Sequence, residues 1–103
     1  VQKMSVHVIV EMTVKQEKFE EAEGIFKAAL KATREWEGCS SVEVFSSKDD
    51  NKYFFVEIFE SEAQWIDYFA WREKESGAVL QELLSAPMKK TFTTALDFGY
   101  GSK

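Results

Sequence analysis

From Tyr53 to Phe59 the chain is apolar in both phases of a two-residue repeat. Tyr53, Phe55 and Phe59 fall in one phase, Phe54, Val56 and Ile58 in the other. Successive side chains of a strand point to opposite faces, so a strand here needs cover on both sides. A chain of 103 residues makes one domain, spanning residues 1–103, with little material for two covering layers.

The flanking pattern shows how one side is covered. Ser5 to Val14 alternates as a first strand, with Val6, Val8, Val10, Met12 and Val14 against Ser5, His7, Ile9, Glu11 and Thr13. A helix follows from about Phe19 to Trp36, where Phe19, Ala22, Phe26, Ala29, Leu30 and Thr33 form one apolar stripe. Gly24 inside it costs up to about 1 kcal/mol against Ala and is expected to mark a close backbone approach. Gly38 ends the helix as a left-handed cap. Val42 to Ser47 and Tyr53 to Glu60 are strands two and three, joined through the polar turn Lys48 to Lys52 as an antiparallel hairpin. Ser61 with Gln64 forms a capping box and opens a second helix to about Glu75, which Ser76-Gly77 breaks. Ala78 to Leu84 is a further short helix, stopped by Ala86-Pro87, and Thr91 to Phe98 is the fourth strand.

This order, β-α-β-β-α-β, predicts an α+β, ferredoxin-like fold: one antiparallel sheet with both main helices on one face. The other face would expose an apolar patch beyond the few hundred Å2 that a monomer tolerates. A second copy across a two-fold axis is the simplest cover, and Tyr100 in the tail is expected to pack across that dimer.

Charge and rare residues exclude other classes. Eighteen acidic against 13 basic residues give a net charge of −5, which argues against a nucleic-acid binder. One Cys excludes an internal disulfide, and one Cys with one His excludes a Cys/His zinc cluster. No such metal cluster is expected. No apolar run approaches the roughly 20 residues of a membrane span. The start, Val1-Gln2-Lys3-Met4, does not read as a signal peptide, so a cytoplasmic location is the default expectation.

The second helix carries the most chemistry. At 100° per residue, Trp65, Tyr68, Phe69 and Arg72 share about a third of its circumference, with Ile66 and Trp71 flanking. Such an aromatic wall with a phenol and a guanidinium suits a planar ligand. Arg72 could neutralise a phenolate, enolate or carboxylate, and Tyr68 could donate to a developing anionic oxygen. The competing reading is that the aromatics are core and that Arg72 pairs with a carboxylate such as Glu57 or extends to solvent. His7 has the one side chain with an unperturbed pKa near neutrality and is a candidate base, or else a hydrogen-bonded core or interface residue. Glu11 and Glu57, among apolar strand neighbours, could be bases or counter-ions. Phe55, Glu57 and Trp71 complete the expected ligand-binding set with Trp65 and Phe69. Cys39, with nothing basic beside it, reads as a small hydrophobe.

Three stretches carry a family resemblance: Glu37-Gly38-Cys39-Ser40-Ser41-Val42-Glu43-Val44, Asp49-Asp50-Asn51, and Phe55-Val56-Glu57-Ile58-Phe59-Glu60-Ser61-Glu62-Ala63. In order and spacing they resemble the antibiotic biosynthesis monooxygenase family, whose members commonly read Pro-Gly-Cys, Asp-Asp-Pro and Glu-x-Trp-x-Ser-x-Glu-Ala there. The resemblance implies a dimeric α+β barrel with facing sheets. It also implies a cofactor-independent monooxygenase of a small phenolic or quinol-like aromatic, for which the residues read above offer His7, Tyr68 and Arg72 as catalytic candidates. The alternatives are a non-catalytic binder of a small hydrophobic ligand on the same scaffold and a dimerisation module alone. Many members carry a His where this chain has Tyr68. Haem-degrading relatives need an Asn in strand one, where Ile9 or Val10 stands, and a His after the second helix, where there is none. A haem-oxygenase activity is therefore not implied.

Overall fold

The structure, a computed structural model, describes residues 5–96 and residue 98. The chain start Val1-Gln2-Lys3 and Tyr100 lie outside the described residues. The elements run β1 (Val6–Thr13), α1 (Phe19–Arg34), β2 (Cys39–Ser47), β3 (Lys52–Phe59), α2 (Glu62–Leu83) and β4 (Lys89–Thr93), with 3-10 turns at Gln16–Lys18 and Lys48–Asp50. The four strands form one antiparallel sheet in the order β2-β3-β1-β4. This is the ferredoxin-like α+β arrangement that the element order predicts.

Register decides which face each residue takes. Val8 pairs with Glu57, Val10 with Phe55 and Met12 with Tyr53 across β1 and β3, and these side chains are buried under the helices. The alternate pairs, His7 with Ile58, Ile9 with Val56 and Glu11 with Phe54, face the other way. A slip of one residue would exchange the two sets. On that outer face Ile9 is 38% exposed and Phe45, paired with Phe54, is 53% exposed.

In α1 the predicted stripe is the buried face: Phe19, Ala22, Phe26, Leu30 and Thr33. Acidic Glu20 and Glu21 in the first turn and basic Lys31 and Arg34 in the last complement the helix dipole. Gly38 has φ 98°, a conformation that favours glycine, and a Cβ there would come within 2.7 Å of the end of the Gln64 side chain, which would have to swing aside. Gly24 does not fit its expectation. It is exposed, and no heavy atom lies within 4 Å of an added Cβ.

The second helix departs most from expectation. Ser61 caps it, accepting from the Gln64 N–H at 3.2 Å. The Gln64 side chain returns to the Ser61 hydroxyl, whose O–H donates to Oε1 at 3.3 Å. The helix then continues unbroken through Ser76-Gly77 to Leu83. Burial of Leu83 and partial burial of Leu80 against the core outweigh the cost of about 1 kcal/mol for one interior glycine. The end of the helix is stitched to β1, with Lys15 N–H donating to Leu83 O and Ser85 N–H to Thr13 O, both at 2.9 Å.

β4 starts two residues before the expected strand and ends at Thr93. Thr93 lies opposite His7, one residue from where β1 begins, so the ladder runs out of partner. Phe92 packs on the core, whereas Leu96 and Phe98 are exposed and extend no strand. No helix among the described residues is long and apolar enough to cross a membrane.

Candidate active site

A cavity of about 610 Å3 opens between α1, α2 and the helix-facing side of the sheet. That volume falls in the range of small-molecule sites. Its walls are mainly apolar residues from both helices and from β1 and β3, and the polar residues in the lining are few: Glu57, Tyr68, Arg72 and Ser76.

Glu57 reaches the cavity because β3 alternates and Glu57 falls in the phase of Tyr53, Phe55 and Phe59. It is 2% exposed. The Trp65 indole N–H donates to its Oε1 at 2.7 Å. Burial pushes its carboxyl above the ordinary carboxylate range, opposed more weakly by that hydrogen bond and by the charge of Arg72. Trp65 itself is held by parallel stacking on Phe69, with centroids 4.9 Å apart, and by the edge of Phe92.

Arg72 is the second polar feature. One turn after Tyr68 on α2, its guanidinium is buried and forms no ion pair among the described residues. All its partners are neutral. Nε–H donates to the Tyr68 hydroxyl at 3.2 Å, Nη1–H to Ser76 Oγ at 3.2 Å, and Nη2–H to Ala29 O at 2.8 Å and Thr33 Oγ1 at 3.0 Å. It also lies over Trp71, 4.7 Å from the ring centroid, a cation–π contact. The Tyr68 hydroxyl is 2.7 Å from Thr33 Oγ1. Burial, with the charge of Glu57, pushes the Tyr68 pKa up, so Tyr68 stays a protonated donor at neutral pH.

Six of the sequence candidates meet here: Phe55, Glu57, Trp65, Tyr68, Phe69 and Arg72 all line the cavity. Two do not. His7 alternates with Val6 and Val8, so its ring lies on the opposite sheet face, with Nδ1 enclosed and unpartnered. It cannot share a ligand with Tyr68 in one chain. Trp71 packs on Trp36, centroids 5.2 Å apart, outside the cavity wall. The Arg72–Glu57 pair of the competing reading does not form, and Arg72 does not extend to solvent: it has the neutral partners above. Glu11 belongs to the outer face and pairs with Lys52 at 2.9 Å, and that hydrogen bond lowers its pKa. Cys39 is half-buried, and burial pushes its thiol up. Among the described residues no cluster of three or more potential ligands could hold a metal ion.

Sequence reasoning missed Thr33, Ser76, Val79 and Leu80. Thr33 was legible as a hydroxyl on an otherwise apolar stripe, and Ser76 as the residue four after Arg72. The predicted break at Ser76-Gly77 removed the second half of α2 from the wall.

The fold recurs among solved structures. The chain is similar to a conserved protein of Methanosarcina mazei (20% identity, 88% of this chain and 92% of that one, TM-score 0.76). It is similar to a monooxygenase of Streptomyces coelicolor solved with nanaomycin D (21% identity, 91% and 89%, TM-score 0.74). It is also similar to a protein of unknown function from Nitrosomonas europaea (14% identity, 100% of both chains, TM-score 0.74). No curated protein matches the sequence. The family described as antibiotic biosynthesis monooxygenase matches residues 5–76, which takes in β1 through most of α2 and all the polar residues of the cavity. The chain belongs to the antibiotic biosynthesis monooxygenase family.

Proposed function

We propose that the protein oxygenates a small phenolic or quinol-like aromatic in the cavity between helices and sheet, without a cofactor. One observation carries the reading: an apolar cavity holds a buried cation with only neutral partners, Arg72, together with a carboxyl of raised pKa, Glu57. A phenol that gives its proton to Glu57 leaves a phenolate for Arg72 to hold, and low dielectric strengthens that attraction. Binding of nanaomycin D by the Streptomyces coelicolor monooxygenase supports a small-molecule ligand.

The chemistry balances with O2 alone. Glu57 takes the phenolic proton, and the phenolate passes one electron to O2. The aryloxyl radical and superoxide recombine at the ring carbon para to the oxygen, forming a C–O bond. Glu57 returns its proton to the peroxide. Loss of the proton on that carbon, with cleavage of the O–O bond and departure of water, leaves a quinone. One oxygen atom enters the product and the other leaves in water, so no external reductant is consumed. Tyr68 and Arg72 hold the developing oxyanion.

The second reading, a non-catalytic binder, is favoured by the position of His7 away from the cavity, since binding needs no titrating base. We also propose a homodimer, with a second copy covering Ile9, Phe45, Phe54, Val56 and Ile58.

Incubation of chelator-treated protein with 1-naphthol or anthrone under 18O2 separates the readings. The expected result is a quinone carrying one 18O and oxygen uptake that Glu57→Gln abolishes. Saturable binding of these compounds with no oxygen uptake would leave the binder.

A further inference from the structure

We infer that Thr33, a residue outside the cavity wall, is a positioning residue that commits the Tyr68 hydroxyl proton to the cavity. The inference rests on the cavity being the ligand site.

Thr33 comes from α1 and is 0% exposed. Its Oγ1 has two partners among the described residues, the Tyr68 hydroxyl at 2.7 Å and the donating Arg72 Nη2–H at 3.0 Å. The Tyr68 oxygen in turn accepts from Arg72 Nε–H at 3.2 Å. Two hydroxyls, each with one proton and room for two accepted bonds, therefore share a single bond between them. If Tyr68 donates, both acceptor positions of Thr33 are taken, and the Thr33 proton is orphaned where no solvent reaches. Buried orphan donors are costly. If Thr33 donates, its own bonds are complete, and the Tyr68 oxygen accepts from Thr33 and from Arg72. The Tyr68 proton then has no protein acceptor, but Tyr68 lines the cavity, and a ligand there can take it. Arg72 cannot reverse the arrangement, because a guanidinium has no acceptor.

The consequence is a specificity. At the Tyr68 hydroxyl the cavity offers a donor whose own oxygen is already occupied in accepting from Thr33 and Arg72, so it selects ligands that present a carbonyl or phenolate oxygen at that point. Accepting from Thr33 and Arg72 also polarises the Tyr68 O–H and makes it a better donor.

The test uses 9-fluorenone, a flat ketone that only accepts, and fluorene, the same rings without the oxygen. Equilibrium dialysis gives the affinity ratio for wild type, Thr33→Val, Thr33→Ser, Tyr68→Phe and the Thr33→Val/Tyr68→Phe double variant. Wild type is expected to prefer fluorenone by about fivefold, one ordinary hydrogen bond. Thr33→Ser keeps the ratio, and Thr33→Val lowers it by about twofold to threefold while fluorene affinity holds. Tyr68→Phe lowers the ratio further, and adding Thr33→Val to it changes nothing more. The opposite proton arrangement predicts the opposite sign, since Thr33→Val would then free the Tyr68 proton and raise the fluorenone preference. An unchanged or raised ratio in Thr33→Val overturns the inference, as does a preference that survives Tyr68→Phe. The Tyr68→Phe comparison decides alone if Thr33→Val does not fold. Equal binding of the two probes by wild type overturns the inference and leaves the cavity as the ligand site. Failure of both probes to bind removes the cavity reading and the inference with it.

Discussion

Glu57 is the group whose proton the fold controls most directly. Burial raises its pKa above the ordinary carboxylate range, so the folded protein holds this proton more tightly than the unfolded chain does. The stability contributed at this site is therefore full at and below the ordinary carboxylate range, and it is lost as pH rises from there through the raised value. Glu57→Gln can still accept from the Trp65 N–H but cannot charge. Its stability relative to wild type is expected to improve between about pH 4 and about pH 8, as read by urea denaturation at both. A difference that does not change with pH would mean that the carboxyl is not desolvated. Arg72 gives the complementary case, because removing it strands no carboxylate. Arg72→Met fills similar volume with an uncharged chain, and stability is expected to stay within about 2 kcal/mol of wild type. Affinity for 2-naphthoate should fall by roughly tenfold to a hundredfold, the scale of a hydrogen bond to a charged group, while naphthalene binding is spared. A loss shared equally by both ligands would count against Arg72 as the anion partner.

At the scale of elements, three glycines separate conformational need from accident. Gly24 and Gly77 lie inside α1 and α2, and an added Cβ meets nothing within 4 Å at either. Gly24→Ala and Gly77→Ala are each expected to stabilise by about 0.5–1 kcal/mol. A destabilised Gly77→Ala would argue that α2 is not continuous there. Gly38→Ala is expected to cost about 1–3 kcal/mol, because Gly38 has φ 98° and its Cβ would lie 2.7 Å from Gln64. Chemical denaturation of the three variants in one buffer measures the set. The continuity of α2 also matters to the cavity, since Ser76, Val79 and Leu80 complete the wall only if the helix runs past Gly77.

The whole molecule leaves one face of its sheet to be covered. Helices occupy one side, while Ile9, Phe45, Phe54, Val56 and Ile58 lie on the other. Light scattering after size exclusion is expected to give close to twice 11.9 kDa at micromolar concentration. Val56→Glu, in the middle of that face opposite Ile9, should shift the mass to that of a single chain while circular dichroism is unchanged. A monomeric wild type would mean that the outer face is tolerated in water and would remove the barrel.

What the sequence determined by itself is whatever follows from local periodicity. The two-residue alternation of β1 and β3, the three-and-four stripe of α1, the Ser61 cap and the Gly38 stop each depend on neighbours within a few residues, and the order of elements then leaves few topologies. The same periodicity put Trp65, Tyr68, Phe69 and Arg72 on one helix face. Three things needed the tertiary structure. The length of α2 depended on Leu80 and Leu83 finding the core, which no local propensity at Ser76-Gly77 reports. The face taken by His7 depended on the register of β1 against β3, because alternation shows that two faces exist but not which one the helices cover. The partners of Arg72 depended on α1 and α2 lying side by side, which brought Ala29 and Thr33 to a guanidinium some 40 residues away and gave it neutral acceptors in place of a carboxylate. Hydrogen bonds of that range are set by how elements pack, and packing is a property of the folded chain.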